Sequence, residues 1–363
     1  MEDRKEIPKE VQEKVQKTNQ EVIAIYELKN KYYQLVTGLL PVMDKIMVYF
    51  ANGGILPEDI VENLLKKVEE INGYLEGCVF WEEFLPKEKY QKLLFQLQET
   101  GNSQEWQSQM VEVFTQMREN IVLAKVKAEK QRHTCCCCNR QDFFLPLTKY
   151  YDFMQEYYGA IPWNYETQNS EDMVCPGCGS FDRERLIVLA LQKEDLRQKK
   201  ILQIAPSPAV DHFLKSRENA GYDTCDLFME GVSYQADIQN MNMVESESYD
   251  IWICSHVLEH VLDDRKAMQE LYRITKKGGY GFVLVPLDLN QKETDEEWGR
   301  PVAECWRRFG QDDHTRKYAK HDFVKRLEDS GFEVKELNMD FFGKEIFEIN
   351  SLSQTSVLYK VKR

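Results

Sequence analysis

The stretch "YDIWICSHVLEHVLDDRKAMQELYRITKKGGYGFVLVP", residues 249–286, limits the possible folds more than any other part of the chain. An apolar run, Tyr249–Cys254, is too short for a helix and reads as a buried strand. Asp263 and Asp264 then open a helix, predicted over Asp264–Thr275, with Met268, Leu271 and Ile274 on one face. Lys276 and Lys277 suit its carboxyl end, Gly278 and Gly279 are expected to stop it, and a second strand is expected over Gly281–Pro286. Each local signal agrees with its neighbours, as it must in a real strand–helix–strand unit. The same texture starts near Lys200, with strands predicted at Ile201–Ala205 and Gly221–Thr224 and helices near Ala209–Arg217 and Lys320–Ser330. Alternation of this kind predicts an α/β fold with a parallel sheet covered by helices on both faces. Ligands in such folds bind beyond the carboxyl ends of the strands, where strand order reverses.

Cysteine is the second informative residue. Of ten cysteines, four are consecutive, Cys135 to Cys138, and two more stand at Cys175 and Cys178. A spacing of two intervening residues lets a tight turn aim both sulfurs at one ion. Gly179 follows the second pair and can take the left-handed conformation such a turn needs; Asn139, the next best residue, follows Cys138. This alignment selects Cys135, Cys138, Cys175 and Cys178 as ligands of a closed, structural zinc ion. A redox-reactive cluster or an iron–sulfur centre are the alternatives, and the two knuckles with 36 residues between them look more like a zinc ribbon. A secreted disulfide framework would spread its cysteines more evenly. The segment between the pairs is expected to be a long aromatic loop able to line a cleft.

Before the cysteines the chain reads as helical. Val22, Ile25, Tyr26, Tyr33 and Val36 form one apolar stripe, Pro57 opens a further helix, and 103–133 holds a long one without Gly or Pro. Turns are expected at Asn52–Gly54 and Asn72–Gly73. The predicted organisation is a helical bundle over 1–133, a cysteine module over 134–185 and the α/β domain over 186–363. The bundle holds no catalytic constellation, and such a surface commonly serves a homodimer or a protein partner. The net charge of −14 argues against a nucleic-acid partner, and neither the part up to Lys130 nor the part after it is basic. No uninterrupted run of about 18 apolar residues is present, so no membrane span is expected. The charged start of the chain lacks a signal-peptide core, and a cytoplasmic location is the expectation.

Residues 249–286 resemble the fourth strand, following helix and fifth strand of class I S-adenosylmethionine-dependent methyltransferases, the type 11 group in particular. The resemblance extends to a bacterial subgroup with a cysteine knuckle before the domain. Cys175–Arg185 matches its "CPxCGSxxRxR", "ILQIAPSP" its first strand, and Phe309–Phe332 its "FGQxDHxR" stretch. It covers residues from about 134 to 363 and not the bundle. It implies a Rossmann-like domain with a mixed seven-stranded sheet, and S-adenosylmethionine beside the structural zinc.

On that likeness Ala205, Pro206 and Ser207 replace the usual glycine-rich cofactor loop, with Pro208 starting the next helix; Ser207 stands where the subgroup has an acidic residue. Asp226 is expected to take the ribose hydroxyls, Asp237 the adenine amino group, and Ile238 to cover the ring. Ser255 and His256 would line the floor beneath the sulfonium. For a hydroxyl acceptor a neutral histidine is a suitable base. His314 is the first candidate, oriented by Asp312 or Asp313; His256 and His260 are alternatives, expected on one helix face beside Glu259 and not read as a metal pair. Arg316 and Tyr318 are candidates to hold an acceptor, while Arg183 and Arg185 are either a solvated face or an anion site. The expected reaction is methyl transfer, O-methylation first, to a small-molecule or glycan acceptor. Two other classes stay open: a methyltransferase fold that binds without turnover, and a zinc-organised interaction protein working through its bundle.

Overall fold

The computed structural model describes residues 8–53 and 104–363, with isolated positions between them. Seven strands form one mixed sheet: β1 (Lys200–Ile204), β2 (Gly221–Asp226), β3 (Tyr234–Gln235), β4 (Tyr249–Ser255), β5 (Thr275–Leu284), β6 (Glu333–Leu337) and β7 (Leu358–Lys362). Their spatial order is β6-β7-β5-β4-β1-β2-β3. Pairing is parallel from β5 through β3, and β7 runs antiparallel to both β5 and β6. Strand order therefore reverses between β1 and β4, which are followed by Ala205 and His256.

The core follows from the period of two along these strands. Leu202, Trp252, Cys254 and Val283 face one layer, with Met268, Leu271, Phe323 and Leu327 of the helices Asp264–Ile274 and Lys320–Asp329. Ile201, Ile251, Ile253 and Phe282 face the other, with the helices Asp182–Leu191 and Pro208–Lys215. Each such side chain contributes about 1.5–3 kcal/mol on burial. Gly281 is required by close approach, because a Cβ there would lie 2.1 Å from the Trp252 ring. Trp252 in turn donates its Nε1–H to Thr275 Oγ1 at 2.8 Å.

Several local expectations change. Asp263 caps the helix as expected, accepting from Lys266 N at 3.0 Å, and the helix ends at Ile274. Lys276–Gly279 do not close it; they already belong to β5, which begins at Thr275 because strand pairing starts at Tyr249↔Thr275. The aromatic segment after the first knuckle carries a helix, Thr148–Tyr158, closed by Gly159 at φ 64° and burying Phe153 and Met154. The edge strand β6 and its inner neighbour β7 go beyond the expected strands; Glu333–Leu337 is largely solvent-facing and has little apolar pattern, and β7 is only five residues long.

The chain divides into two units, one of residues up to Val22 with His133–Arg363 and the other Ile23–Arg132. In the first unit Val11 packs with Phe153 and Met154. In the second, the helices Lys9–Ala51 and Gln104–Lys130 lie antiparallel, with Phe50 against Phe114, Asp44 bound to Arg118 and Tyr33 bound to Arg132. Buried positions recur at Tyr32, Val36, Leu39, Met43, Ile46 and at Phe114, Met117, Ile121, Ala124, Ala128. This alternation of three and four is a heptad seam. Tyr32, and not the expected Tyr33, is the buried tyrosine of this seam. The helix opened by Pro57 is seen at its described positions Asp59, Ile60, Glu62, Asn63, Lys66 and Lys67, with Ile60 N donating to Pro57 O at 3.1 Å; the Asn72–Gly73 turn lies outside the described residues. Although no uninterrupted apolar run exists, Lys9–Ala51 is long and apolar enough over 18 residues to cross a membrane by length and composition.

Candidate functional site

Two groups of chemically active side chains stand out, both within the first unit. At the first, the sulfurs of Cys135, Cys138, Cys175 and Cys178 all lie within 4.8 Å of one another. The two knuckles repeat each other. Asn139 and Gly179 have φ of 59° and 70°, Asn139 N donates to Cys135 O, and Gly179 N donates to Cys175 O. Cys135 N to Arg140 O and Cys175 N to Ser180 O, each 2.9 Å, close the two turns. Across the knuckles the Cys135–Cys178 and Cys138–Cys175 Sγ distances are 3.7 Å. An ion about 2.3 Å from four tetrahedral sulfurs sets them about 3.8 Å apart, so the donor set fits zinc. Cys136 packs on the core with its thiol donating to Arg185 O at 3.3 Å, while Cys137 packs both on that core and beside Cys135 and Cys175.

Arg185 is neither a solvated face nor an anion site. Fully buried, it donates to the carbonyls of Met173, Ser180, Asn350 and Ser351 and lies 4.5 Å from the Phe144 ring centre. It joins the cysteine module to the segment before β7. Arg183 pairs with Glu184 at 3.1 Å.

The second group lies at the reversal of strand order. Ala205 follows β1 with φ 47°, and its N–H donates to Cys225 O at 2.8 Å. His256 follows β4 with φ 55°. A left-handed conformation costs a residue with a side chain about 1–2 kcal/mol, so two of them at adjacent strand ends mark strain held by the fold. Pro206 leads into Ser207 at the cap position, and Pro208 opens the helix as the first helical residue. The hydroxyl of Ser255 is buried without a hydrogen-bond partner at the end of β4.

Asp226 and Asp237 sit at the ends of β2 and just past β3, each with part of its carboxylate already engaged. Asp226 Oδ1 accepts from Phe228 N and Met229 N at 2.7 and 2.8 Å, and Asp237 accepts from the Gln239 backbone and side chain. Ile238 is buried in the core layer beside them. Beyond Asp226 three apolar side chains, Leu227, Phe228 and Met229, are exposed, Phe228 by 70%. Three such residues in a turn straight after a strand-end carboxylate were the available sequence signal, and it was missed.

Residues 256–262 form a turn and no helix, so His256 and His260 do not share a helix face. The reason lies in the backbone. Thr315 donates to Glu259 O, and Arg316 donates to the carbonyls of Leu258, Val261 and Leu262, occupying acceptors a helix would need. Arg316 and Tyr318 are therefore internal supports: both are buried, and Tyr318 donates to Asp264 at 2.7 Å.

This stitching gathers Glu259, His260 and His314, whose donor atoms lie within 4.8 Å of one another. Glu259 is fully buried, and neither carboxylate oxygen has hydrogen-bond geometry to any partner. His256 Nδ1 stands 3.2 Å from Oε1, an ion-pair distance. Burial raises the carboxyl, but His256, His260 and His314 outweigh it and hold Glu259 at about 2. His314 Nδ1 meets Phe309 O at 2.9 Å; Asp313 does not orient it, but pairs with His260 Nδ1 at 3.1 Å. The cause is the helix Val302–Phe309, whose end at Gly310 (φ 79°) presents a free carbonyl to His314. Burial pushes His314 down to about 4, so it is neutral; burial also opposes charge on His260, yet Asp313 and Glu259 raise it. Asp313 is held at about 2, where burial is outweighed by His260.

Beside this turn the aromatic segment runs along the extension of β5. Glu166 N donates to Leu287 O and Leu289 N to Asn164 O. Tyr151, Ile161, Trp163, Tyr165 and Gly310 line a cleft of about 280 Å³.

Residues 184–283 match the family model of a methyltransferase domain. A thiol S-methyltransferase, TMT1B of Rattus norvegicus, is 28% identical over 127 residues, 35% of this chain and 50% of that protein. The chain thus spans half the length of that relative. Among solved structures, an S-adenosylmethionine-dependent methyltransferase from Mesorhizobium loti covers 50% of this chain and 98% of its own at 13% identity (TM-score 0.36). One from Archaeoglobus fulgidus covers 50% and 94% at 15% identity (TM-score 0.33).

Proposed function

From the premise that this chain carries a class I S-adenosylmethionine-dependent methyltransferase domain, we propose that it transfers a methyl group to a hydroxyl of a small-molecule or glycan acceptor. The observation that carries the reading is the pair of left-handed residues, Ala205 and His256, flanking the reversal of strand order around the orphaned Ser255 hydroxyl. A buried hydroxyl without a partner fits a polar ligand there. Bound S-adenosylmethionine would supply a methyl group on a sulfonium. Ala205 would let the backbone approach it, the Asp226 carboxylate would meet ribose hydroxyls, and the exposed Phe228 would cover an apolar ring. Asp237 and Ile238 remain the choices for the adenine edge. His256, partly exposed at the strand end and paired with Glu259, would take the acceptor's proton as the oxygen attacks the methyl carbon. Asp313 and His314 support that wall from behind. The aromatic cleft beside them is the proposed acceptor site, and its lining suits a sugar or neutral ring.

The four cysteines would hold a structural zinc. With no open position that ion supplies folding energy and no reaction step.

Calorimetric titration of the full chain with S-adenosylhomocysteine tests the cofactor crevice: one molecule bound per chain is expected, and no binding overturns the reading. Incubation with hydroxyl and thiol acceptors, read by a mass gain of one methyl group, separates oxygen from sulfur as the accepting atom. Transfer only to thiols would replace the O-methylation assignment.

A further inference from the structure

We propose that Glu259, His260 and His314 form a binding site for a divalent transition-metal ion at the wall of the crevice, distinct from the four-cysteine site. The observation that points to a ligand is Glu259, fully buried with both oxygens lacking hydrogen-bond partners. A buried ionised carboxylate left without hydrogen bonds is costly, and folds that keep one pair it or set it on an ion. Its nearest basic neighbours, His256 at 3.2 Å and His260 at 3.9 Å, reach ion-pair distance only.

The histidines are arranged as ligands. His260 has its Nδ1 on the Asp313 carboxylate and His314 has its Nδ1 on the Phe309 carbonyl, which leaves Nε2 of each toward the cluster. Holding one ring nitrogen on a carboxylate or carbonyl, so that the other presents its lone pair, is the usual support behind a metal-bound imidazole. The rings stand at 81° with centres 4.6 Å apart, so the two nitrogens converge without stacking. Donors about 2.1 Å from one ion lie about 3–4 Å apart, and here all three lie within 4.8 Å, a gap that side-chain rotation closes. Thr315 and Arg316 fix the backbone that carries Glu259 and His260, and pass directly on to His314 in sequence. Two imidazoles and one carboxylate suit zinc, manganese or iron(II), and three protein ligands leave positions open.

The open positions would take an oxygen of the acceptor, which adds a choice of acceptor to the methyl-transfer reading and in this one respect rests on it: the substrate would present an oxygen able to bind a metal, as a vicinal diol or an enediol does. The binding site itself stands on the donor geometry alone.

Equilibrium dialysis of the full chain against Mn²⁺, with total bound divalent ion measured by elemental analysis, tests it. Thiolates take Mn²⁺ poorly, so the added ion reports nitrogen and oxygen donors. The wild-type chain is expected to hold one more divalent ion than Glu259→Gln and His260→Gln under the same conditions. His260→Gln is included because its side chain is partly exposed and its loss spares the core. Equal metal content in all three chains overturns the proposal. The same preparations titrated with S-adenosylhomocysteine keep the two readings apart. Cofactor binding without the extra ion removes the metal site and leaves methyl transfer; the extra ion without cofactor binding does the reverse.

Discussion

Ala205 is the residue at which local preference and fold disagree most usefully. Its φ of 47° is one that glycine takes freely. Ala205→Gly is therefore expected to keep S-adenosylhomocysteine affinity and to gain up to about 1 kcal/mol in urea unfolding, offset in part by unfolded-state entropy. Ala205→Val, β-branched at positive φ, should lose about 2 kcal/mol or more and weaken binding at least tenfold. His314 gives a second test. Its folded pKa of about 4 lies below the ordinary 6.5, so between those values the unfolded chain binds a proton the folded chain refuses. Its contribution is neutral above pH 6.5 and turns destabilising as pH falls toward 4, by about 3 kcal/mol in all. His260 shifts the opposite way, contributing stability below 6.5 that fades as pH rises through its own raised value. The measurement is accordingly the difference between wild type and His314→Gln in urea across pH 4–7: the variant should lose the His314 slope, and identical profiles would reject it. In sequence, "SHVLEH" announced three titratable groups at a strand end; their pairing was not legible, because it depends on Thr315 and Arg316 arriving from 56 and 58 residues further along the chain at Glu259 and Leu258.

At the scale of elements, β1, β4 and three helices could be read because each carries its own pattern of apolar residues or caps, and β2, with only Cys225 buried, because it falls in the strand–helix alternation. β6 and β7 could not, since their pairing is set by neighbours rather than by composition. The start of β5 illustrates the same limit. Lys276–Gly279 has every mark of a helix end, but a place beside β4 decides it. Gly281 shows how tightly that pairing is built. Gly281→Ala would drive a methyl group into the Trp252 ring, and a loss of about 2–4 kcal/mol in denaturant unfolding is expected. Gly278→Ala, with nothing near its added carbon, should cost only the strain of its positive φ, about 1 kcal/mol. Should the two variants unfold alike, the Trp252 packing argument fails.

For the whole molecule, the first unit depends on residues far apart in the chain. Val11 is 3% exposed against Phe153 and Met154, so Val11→Ala should lower stability by about 1–2 kcal/mol although it lies more than a hundred residues from its partners. Arg185 performs the corresponding task on the other side, binding Met173 and Ser180 to Asn350 and Ser351. Chelation of the zinc proposed for the four cysteines is expected to lower the melting temperature of the α/β domain itself and not only of the module, as followed by near-ultraviolet circular dichroism. Independent melting of the two would contradict this coupling.

The consecutive cysteines have one more consequence, for how the module assembles. Within Cys135–Cys138 only one choice of two sulfurs keeps two residues between them, and only that choice leaves Asn139 to make the left-handed bend. For the proposed zinc, four equivalent thiols would thus be sorted by backbone handedness rather than by affinity. A substitution at Asn139 should show itself as heterogeneous metal loading before it shows itself as lost stability.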